Sequence, residues 1–156
     1  MFRKNIYFKW TWETAPQAPG AGIVVVRLID NNYKVLGLWA RGGYDIPKGH
    51  VEEGEDFFQT AIRETEEESN ITDLHFKWGL DYRKTDRLRV YLAETTQEGK
   101  IVRNKESGIL EHEHLRWIDW DEMIEKTYEY LKPAIEWSKE RVLYNEPKED
   151  KKYLKY

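Results

Sequence analysis

No cysteine occurs among the 156 residues. Disulfides, zinc–thiolate sites and thiol nucleophiles are thereby excluded. Long apolar runs are missing too. Nothing approaches the ~20 residues that a spanning helix needs, so no membrane partner is expected. The opening MFRKNIYFKW carries charges with no apolar stretch behind them, unlike a secretory signal. A strong excess of one charge is also absent. Lys and Arg number 25 against 29 Asp and Glu, for a net charge of -4. That excludes attachment to nucleic acid or anionic lipid by bulk charge alone, though it leaves room for a local basic groove. These absences together predict a cytoplasmic protein. What remains is 40% hydrophobic and 35% charged, a globular composition with enough chain to bury a core. The expectation is one domain over residues 1–156, with a charged tail at 146–156.

Ile6, Phe8, Trp10 and Trp12 alternate onto one face of a predicted strand over 1–12. The plain reading is an edge strand. The sharper one is a stacking platform for bases, with Arg3, Lys4 and Lys9 beside it. After a Pro/Gly/Ala link at 14–22, the β-branched run 23–29 predicts a strand buried on both faces. Asp30-Asn31-Asn32 predicts a turn, and 33–40 returns as the second strand of a hairpin. Residues 41–54 read as a long shaped loop and 55–69 as a helix, closed by Asn70 in the left-handed conformation. Strands are expected at about 75–83 and 87–94, joined near Lys84-Thr85-Asp86. Residues 95–110 read as loop with a short strand at Ile101–Val102. A last strand follows at 115–118. Asp119 and Glu122 form a capping-box-like start to a helix reaching about Tyr130. Pro133 then opens another helix to about Tyr144.

Chemistry concentrates on the 55–69 helix. Glu64, Glu67 and Glu68 share an arc of about 100° beside the apolar stripe of Phe57, Phe58, Ala61, Ile62 and Thr65, whereas Glu66 points away. Like charges at these spacings destabilise a helix by roughly 0.2–0.5 kcal/mol per pair in water, and by more where solvent is excluded. Arg63 reaches Glu67 but cannot neutralise three carboxylates. A solvated acidic face is the bland account. The flanking core stripe and Gly-rich loop favour a hard divalent cation, which takes carboxylates and bridges to phosphate oxygens. His112 and His114 share a strand face without a third imidazole or a thiolate, which argues against zinc. The loop lacks the Gly-Lys-Ser/Thr of a P-loop.

The spacing Gly49, five residues, Glu55, seven residues, then Arg63-Glu64-Thr65-Glu66-Glu67-Glu68-Ser69-Asn70-Ile71 resembles the box of the Nudix hydrolase family. Every charged position is filled. Thr65 replaces an aliphatic and Asn70 a glycine. The resemblance implies an α/β (α+β) fold, an α/β/α sandwich around a mixed β-sheet. It also implies that Glu64, Glu67 and Glu68, with the Gly49 carbonyl, ligate Mg²⁺ or Mn²⁺, and that Arg63 and Glu55 orient those carboxylates. The implied activity is cleavage of a nucleoside diphosphate linked to another moiety.

Two patches are similar to the diadenosine tetraphosphate hydrolase branch. One is Pro47-Lys48-Gly49-His50-Val51, followed by Glu52-Glu53-Gly54-Glu55. The other is Glu111-His112 ahead of Leu115-Arg116-Trp117. That likeness implies Glu111 as a further metal ligand or base, and Lys48 and His50 as contacts to the phosphate chain. Lys84 and Arg87 are basic candidates from the strand hairpin, and Tyr82 is a candidate ring for the base, because Leu115 stands where the branch commonly has an aromatic. The expected partner is a small nucleotide. Alternatives are an RNA 5′ end, ADP-ribose or another nucleotide sugar, and a non-catalytic nucleotide-binding module. Oligomeric state is not legible in the sequence.

Overall fold

The structure, a computed structural model, describes residues 19–145. The strand expected over 1–12 and the tail at 146–156 lie outside the described residues. A single mixed sheet of seven strands runs through the domain. It contains β1 (Gly20–Ile29), β2 (Asn32–Ala40), β3 (Gly43–Asp45), β4 (Lys48–His50), β5 (Arg83–Thr85), β6 (Leu88–Glu94) and β7 (His114–Ile118). β1 and β6 pair in parallel over Gly20–Val26, and the other pairings are antiparallel. Helix α1 (Phe57–Ser69) covers one face, and α2 (Trp120–Lys126) with α3 (Lys132–Tyr144) covers the other.

Alternation along β1 builds both layers. Ile23 and Val25 pack with Ala61 and Ile62 of α1, while Val24 and Val26 pack with Met123, Ala134 and Ile135 on the opposite side. All four β1 residues are fully buried, worth roughly 1.5–3 kcal/mol per side chain. The expected α/β/α sandwich is thus observed. The hairpin turn is made by Asp30 and Asn31, both at positive φ (52° and 67°), a twist that suits two-residue hairpins and the residue types that tolerate it.

The segment expected to be an irregular loop, 41–54, instead holds β3 and β4. β1 and β2 pair only over Val26–Ile29 and Asn32–Val35. β3 pairs with β2 beyond that region, and β4 pairs with β1. A methyl on Gly43 would meet the Tyr128 ring at 2.7 Å, so this short strand needs its glycine. The strand expected over 75–83 shrinks to a bridge at His75 and the three residues of β5. Gly79, at φ 105°, breaks the run, while Phe76 and Trp78 are buried in opposite layers. Lys84 therefore lies in a strand, and the turn is Asp86-Arg87. Ile101–Val102 is not a strand.

α1 begins two residues later than expected. Asp56 caps it, accepting from Gln59 N at 2.7 Å while the Gln59 side chain accepts from Asp56 N at 2.9 Å. Asn70 ends it at φ 62°, ψ 24°, as expected. The second capping box does not form. Asp119 pairs with Lys34 and makes no side-chain cap bond. α2 stops at Lys126 rather than near Tyr130, because Thr127 Oγ1 turns to the Tyr44 carbonyl at 2.9 Å and the Tyr128 hydroxyl to that of Ala40. A 3₁₀ turn at Glu129–Leu131 then leads into α3.

Candidate active site

A cleft of about 580 Å³ opens where α1, the ends of β3 and β4, and the 102–112 segment meet. Its acidic wall is the polar face of α1, from Glu64 to Glu68, and Glu111 lines the cleft as well. Glu66, expected to point away, also reaches the wall.

Arg63 organises that wall. Its Nε donates to Glu55 Oε2 at 2.6 Å and its Nη2 to Glu55 Oε1 at 3.1 Å. Nη2 also donates to the His50 carbonyl at 3.0 Å, and Nη1 to Glu64 Oε2 at 3.0 Å and Glu67 Oε1 at 3.2 Å. One planar fork thus ties the β4 end, the loop glutamate and two helix glutamates into a fixed geometry. The hydrogen bond from Arg63, opposed by burial and aided by Thr60 and the Glu52 amide, brings the Glu55 carboxyl down to about 2. Burial would lower the affinity of Arg63 for its proton, but the bond to Glu55 and the fields of Glu64 and Glu67 hold it above its ordinary value.

Glu68 is the frustrated member. Burial, then repulsion from Glu64 and Glu111, push its carboxyl well above the usual range, against a smaller pull from Lys48. The Lys48 amide donates to Glu68 Oε1 at 3.2 Å. Gly49 lies directly beneath Glu64: a Cβ there would stand 2.0 Å from Glu64 Oε2. Glycine is required because the carboxylate rests on the backbone itself.

The Lys48 ammonium, expected to meet phosphate, is buried and held by Asp45 at 2.9 Å. His112 Nε2 stands 3.1 Å from the same Asp45 oxygen, and the Ile46 amide donates to the other at 2.8 Å. Burial pushes Asp45 up, but Lys48 and His112 more than offset it, so its carboxyl lies below its usual value. This buried triad forms the floor of the cleft.

Among the sequence candidates, Lys48, His50, Arg63, Glu64, Glu67, Glu68 and Glu111 line the cleft together. Tyr82, Lys84 and Arg87 do not. Tyr82 instead lies over the Arg89 guanidinium, 4.5 Å from its ring centroid, and 5.6 Å from Tyr91. Asp45 and the 103–106 residues of the cleft were not singled out in the sequence. Asp45 carries a signal in retrospect, since it sits three residues before Lys48 in a segment otherwise read as loop.

The NUDIX domain family pattern matches residues 18–138. This chain belongs to the Nudix family. The Nudix assignment is joined by two curated relatives, each named bis(5′-nucleosyl)-tetraphosphatase [asymmetrical]. The Caenorhabditis elegans protein is 34% identical over 115 residues, 66% of this chain and 78% of that relative. The rat protein is 33% identical over 100 residues, 58% of this chain and 65% of its own length. A crystal structure of a C. elegans Ap4A hydrolase binary complex superposes with a TM-score of 0.58 at 25% identity, covering 76% of this Nudix chain and 93% of the other. The expected family, fold class and hydrolase class are borne out.

The donor set suits a hard divalent ion. Its atoms are carboxylate and carbonyl oxygens, the ligands that Mg²⁺ and Mn²⁺ take, with no thiolate among them. The mutual repulsion of Glu64, Glu68 and Glu111 is relieved by added positive charge. Among the described residues the His, Asp and Glu side chains do not converge into a ready-made cage. Arg63 Nη1 instead donates to both Glu64 and Glu67, the Lys48 amide to Glu68 and Asn104 Nδ2 to Glu111, and the set lines one shared cleft.

Proposed function

We propose that this Nudix protein is a divalent-cation-dependent hydrolase of dinucleoside polyphosphates, cutting diadenosine tetraphosphate to ATP and AMP. The observation that carries this reading is the acidic wall ordered by Arg63 and joined in the same cleft by Glu111. The substrate class is supported by the asymmetrical tetraphosphatases to which the chain is similar.

In this reading Glu64, Glu67 and Glu68, with the Gly49 carbonyl, hold Mg²⁺ or Mn²⁺. The bound cation would withdraw charge from the phosphoryl oxygens and raise the electrophilicity of phosphorus. Arg63 and Glu55 keep the ligand carboxylates in register, a role in which lost partners cost about 10–100-fold. Glu111 stands on a separate segment and is held by the Asn104 amide at 3.2 Å. It is the group free of the helix that accepts the proton of the attacking water. Water adds in line to the phosphorus next to one adenosine, the anhydride P–O bond breaks, and AMP and ATP leave. Lys48 holds the cleft floor through Asp45 rather than pairing with phosphate, and its amide positions Glu68. His50 borders the phosphate path. Tyr82, Lys84 and Arg87 lie outside the cleft and take no part in this reading. A cysteine-free chain with no helix among the described residues long and apolar enough to cross a membrane fits a cytoplasmic setting.

The test is incubation with Mg²⁺ and, separately, diadenosine tetraphosphate, ADP-ribose and capped or triphosphate-ended RNA, with products resolved by chromatography. Equal ATP and AMP from the first substrate is the expected result. Turnover of RNA or ADP-ribose alone would overturn the substrate class and leave the Nudix assignment standing.

A further inference from the structure

Besides the acidic wall, the cleft is lined by Val102, Arg103, Asn104, Lys105 and Glu106. This stretch has no helix or strand, yet it is tightly tied. The Asn104 side-chain oxygen accepts from the amides of Glu106 and Ser107, both at 2.9 Å. Its backbone nitrogen donates to the Ile109 carbonyl at 3.0 Å, and its carbonyl accepts from Gly108 N at 2.7 Å. Ser107 Oγ accepts from Ile109 N at 3.2 Å, and Arg103 Nη1 donates to the Gly108 carbonyl at 2.9 Å. Gly108 takes the positive φ of 72° that closes the turn. Asn104 Nδ2 then reaches Glu111 Oε2, so the loop and the catalytic carboxylate share one anchor.

Arg103 and Lys105 are exposed, and no carboxylate lies within ion-pair distance of either among the described residues. Two cations therefore border a strongly acidic cleft without being neutralised by it. Cations without carboxylate partners on a loop whose backbone is already ordered suit a polyanion, because little backbone freedom is lost when it binds. The α1 wall is itself anionic, so beyond a bound cation it offers nothing to offset the charge of four phosphates.

We propose that the 103–109 loop is a polyphosphate clamp, in which Arg103 and Lys105 hold the phosphoryl groups beyond the one attacked, making the site selective for long phosphate chains. The inference rests on the function proposed above and names the residues that set chain length. Asn104 is a positioning residue that holds the clamp at a fixed distance from Glu111.

The test uses the Arg103→Ala/Lys105→Ala double variant and, as a charge-conserving control, Arg103→Lys/Lys105→Arg. Both changes lie on exposed side chains, and equal melting temperatures would verify the fold. Binding of inorganic tripolyphosphate in Mg²⁺ is measured by calorimetry, and KM and kcat are measured on diadenosine tetraphosphate and ADP-ribose. The alanine variant should bind tripolyphosphate about 10-fold more weakly, the loss expected of two exposed charge-assisted contacts. The control should bind like wild type. KM for the tetraphosphate should rise by a similar factor with kcat nearly unchanged, and KM for the two-phosphate substrate should stay within about twofold. Tripolyphosphate binding that is absent from the wild type, or unchanged in the alanine variant, would overturn the clamp. If the wild type turns over no dinucleoside polyphosphate, the proposed function falls, and the tripolyphosphate arm decides the clamp alone.

Discussion

Replacing Glu55 with glutamine removes one negative charge from the base of the Arg63 fork and leaves the shape nearly intact. The Glu55 side chain is 18% exposed. Its carboxylate accepts from Arg63 twice, from Thr60 Oγ1 at 2.7 Å and from the Glu52 amide at 3.0 Å. The fall from 4.5 to about 2, at about 1.36 kcal/mol per pH unit, sets a ceiling of about 3 kcal/mol. Solvent reaches the edge of the pair, and screening brings the expected value to about 1–2 kcal/mol. The sign follows from the direction of the shift. A depressed carboxyl stabilises the fold fully above its unfolded-state value and loses that contribution as pH falls from about 5 towards 2. An amide cannot titrate. The stability gap between wild type and Glu55→Gln should therefore be about 1–2 kcal/mol at pH 7 and less than half as large at pH 3. The other carboxylates titrate in both proteins and cancel in the difference. Urea unfolding at both pH values, with chelator present, measures the gap. A gap that is absent at pH 7, or that stays constant down to pH 3, would refute the argument that Arg63 is what holds this carboxylate ionised.

Glu68→Gln relieves the repulsion from Glu64 and Glu111, so the chelated variant should melt at or above the wild-type temperature while turnover falls by about 10²–10⁴-fold. A lower melting temperature, or activity within a few-fold of wild type, would sink the assignment. Gly49→Ala should separate function from stability. The displaced atoms are the far end of the flexible Glu64 side chain, so unfolding free energy should change by less than about 1 kcal/mol, yet kcat should drop by about 10–100-fold as the carboxylate leaves its place. Equal kcat would show that Glu64 does not need its seat on the Gly49 backbone.

The fold was legible wherever burial imposes a period. The β1 run, the Asp30-Asn31 turn, the α1 stripe and the Asn70 cap each follow from local chemistry, and each is found. Misreadings occurred where a tertiary partner overrides the local signal. Asp119 looks like a helix cap, but Lys34, 85 residues away, takes its carboxylate. The sequence from Trp120 onward could continue as helix, but Thr127 and Tyr128 spend their hydroxyls on the β2–β3 hairpin and break it. Residues 43–50 are too short and too rich in glycine to show a strand period. They become strands because β1 and β2 leave backbone groups there that must be paired.

The acidic half of the site was legible for a different reason. Its carboxylates sit on one helix, where spacing in sequence is spacing in space, and their mutual repulsion is a local anomaly that demands an explanation. The other half has no such regularity. Arg103 and Lys105 are ordinary surface cations in a polar stretch, and only the fold brings that stretch to the cleft. Lys48 illustrates the same limit from the other side. Its sequence context suggests a phosphate contact, yet its ammonium meets Asp45, which also meets His112, 67 residues downstream. A charge in a motif gives the sign of the field at a site. Which partner that charge meets depends on packing across the sheet, so the acidic wall can be read from a helix period while the residues that share its cleft from other segments cannot.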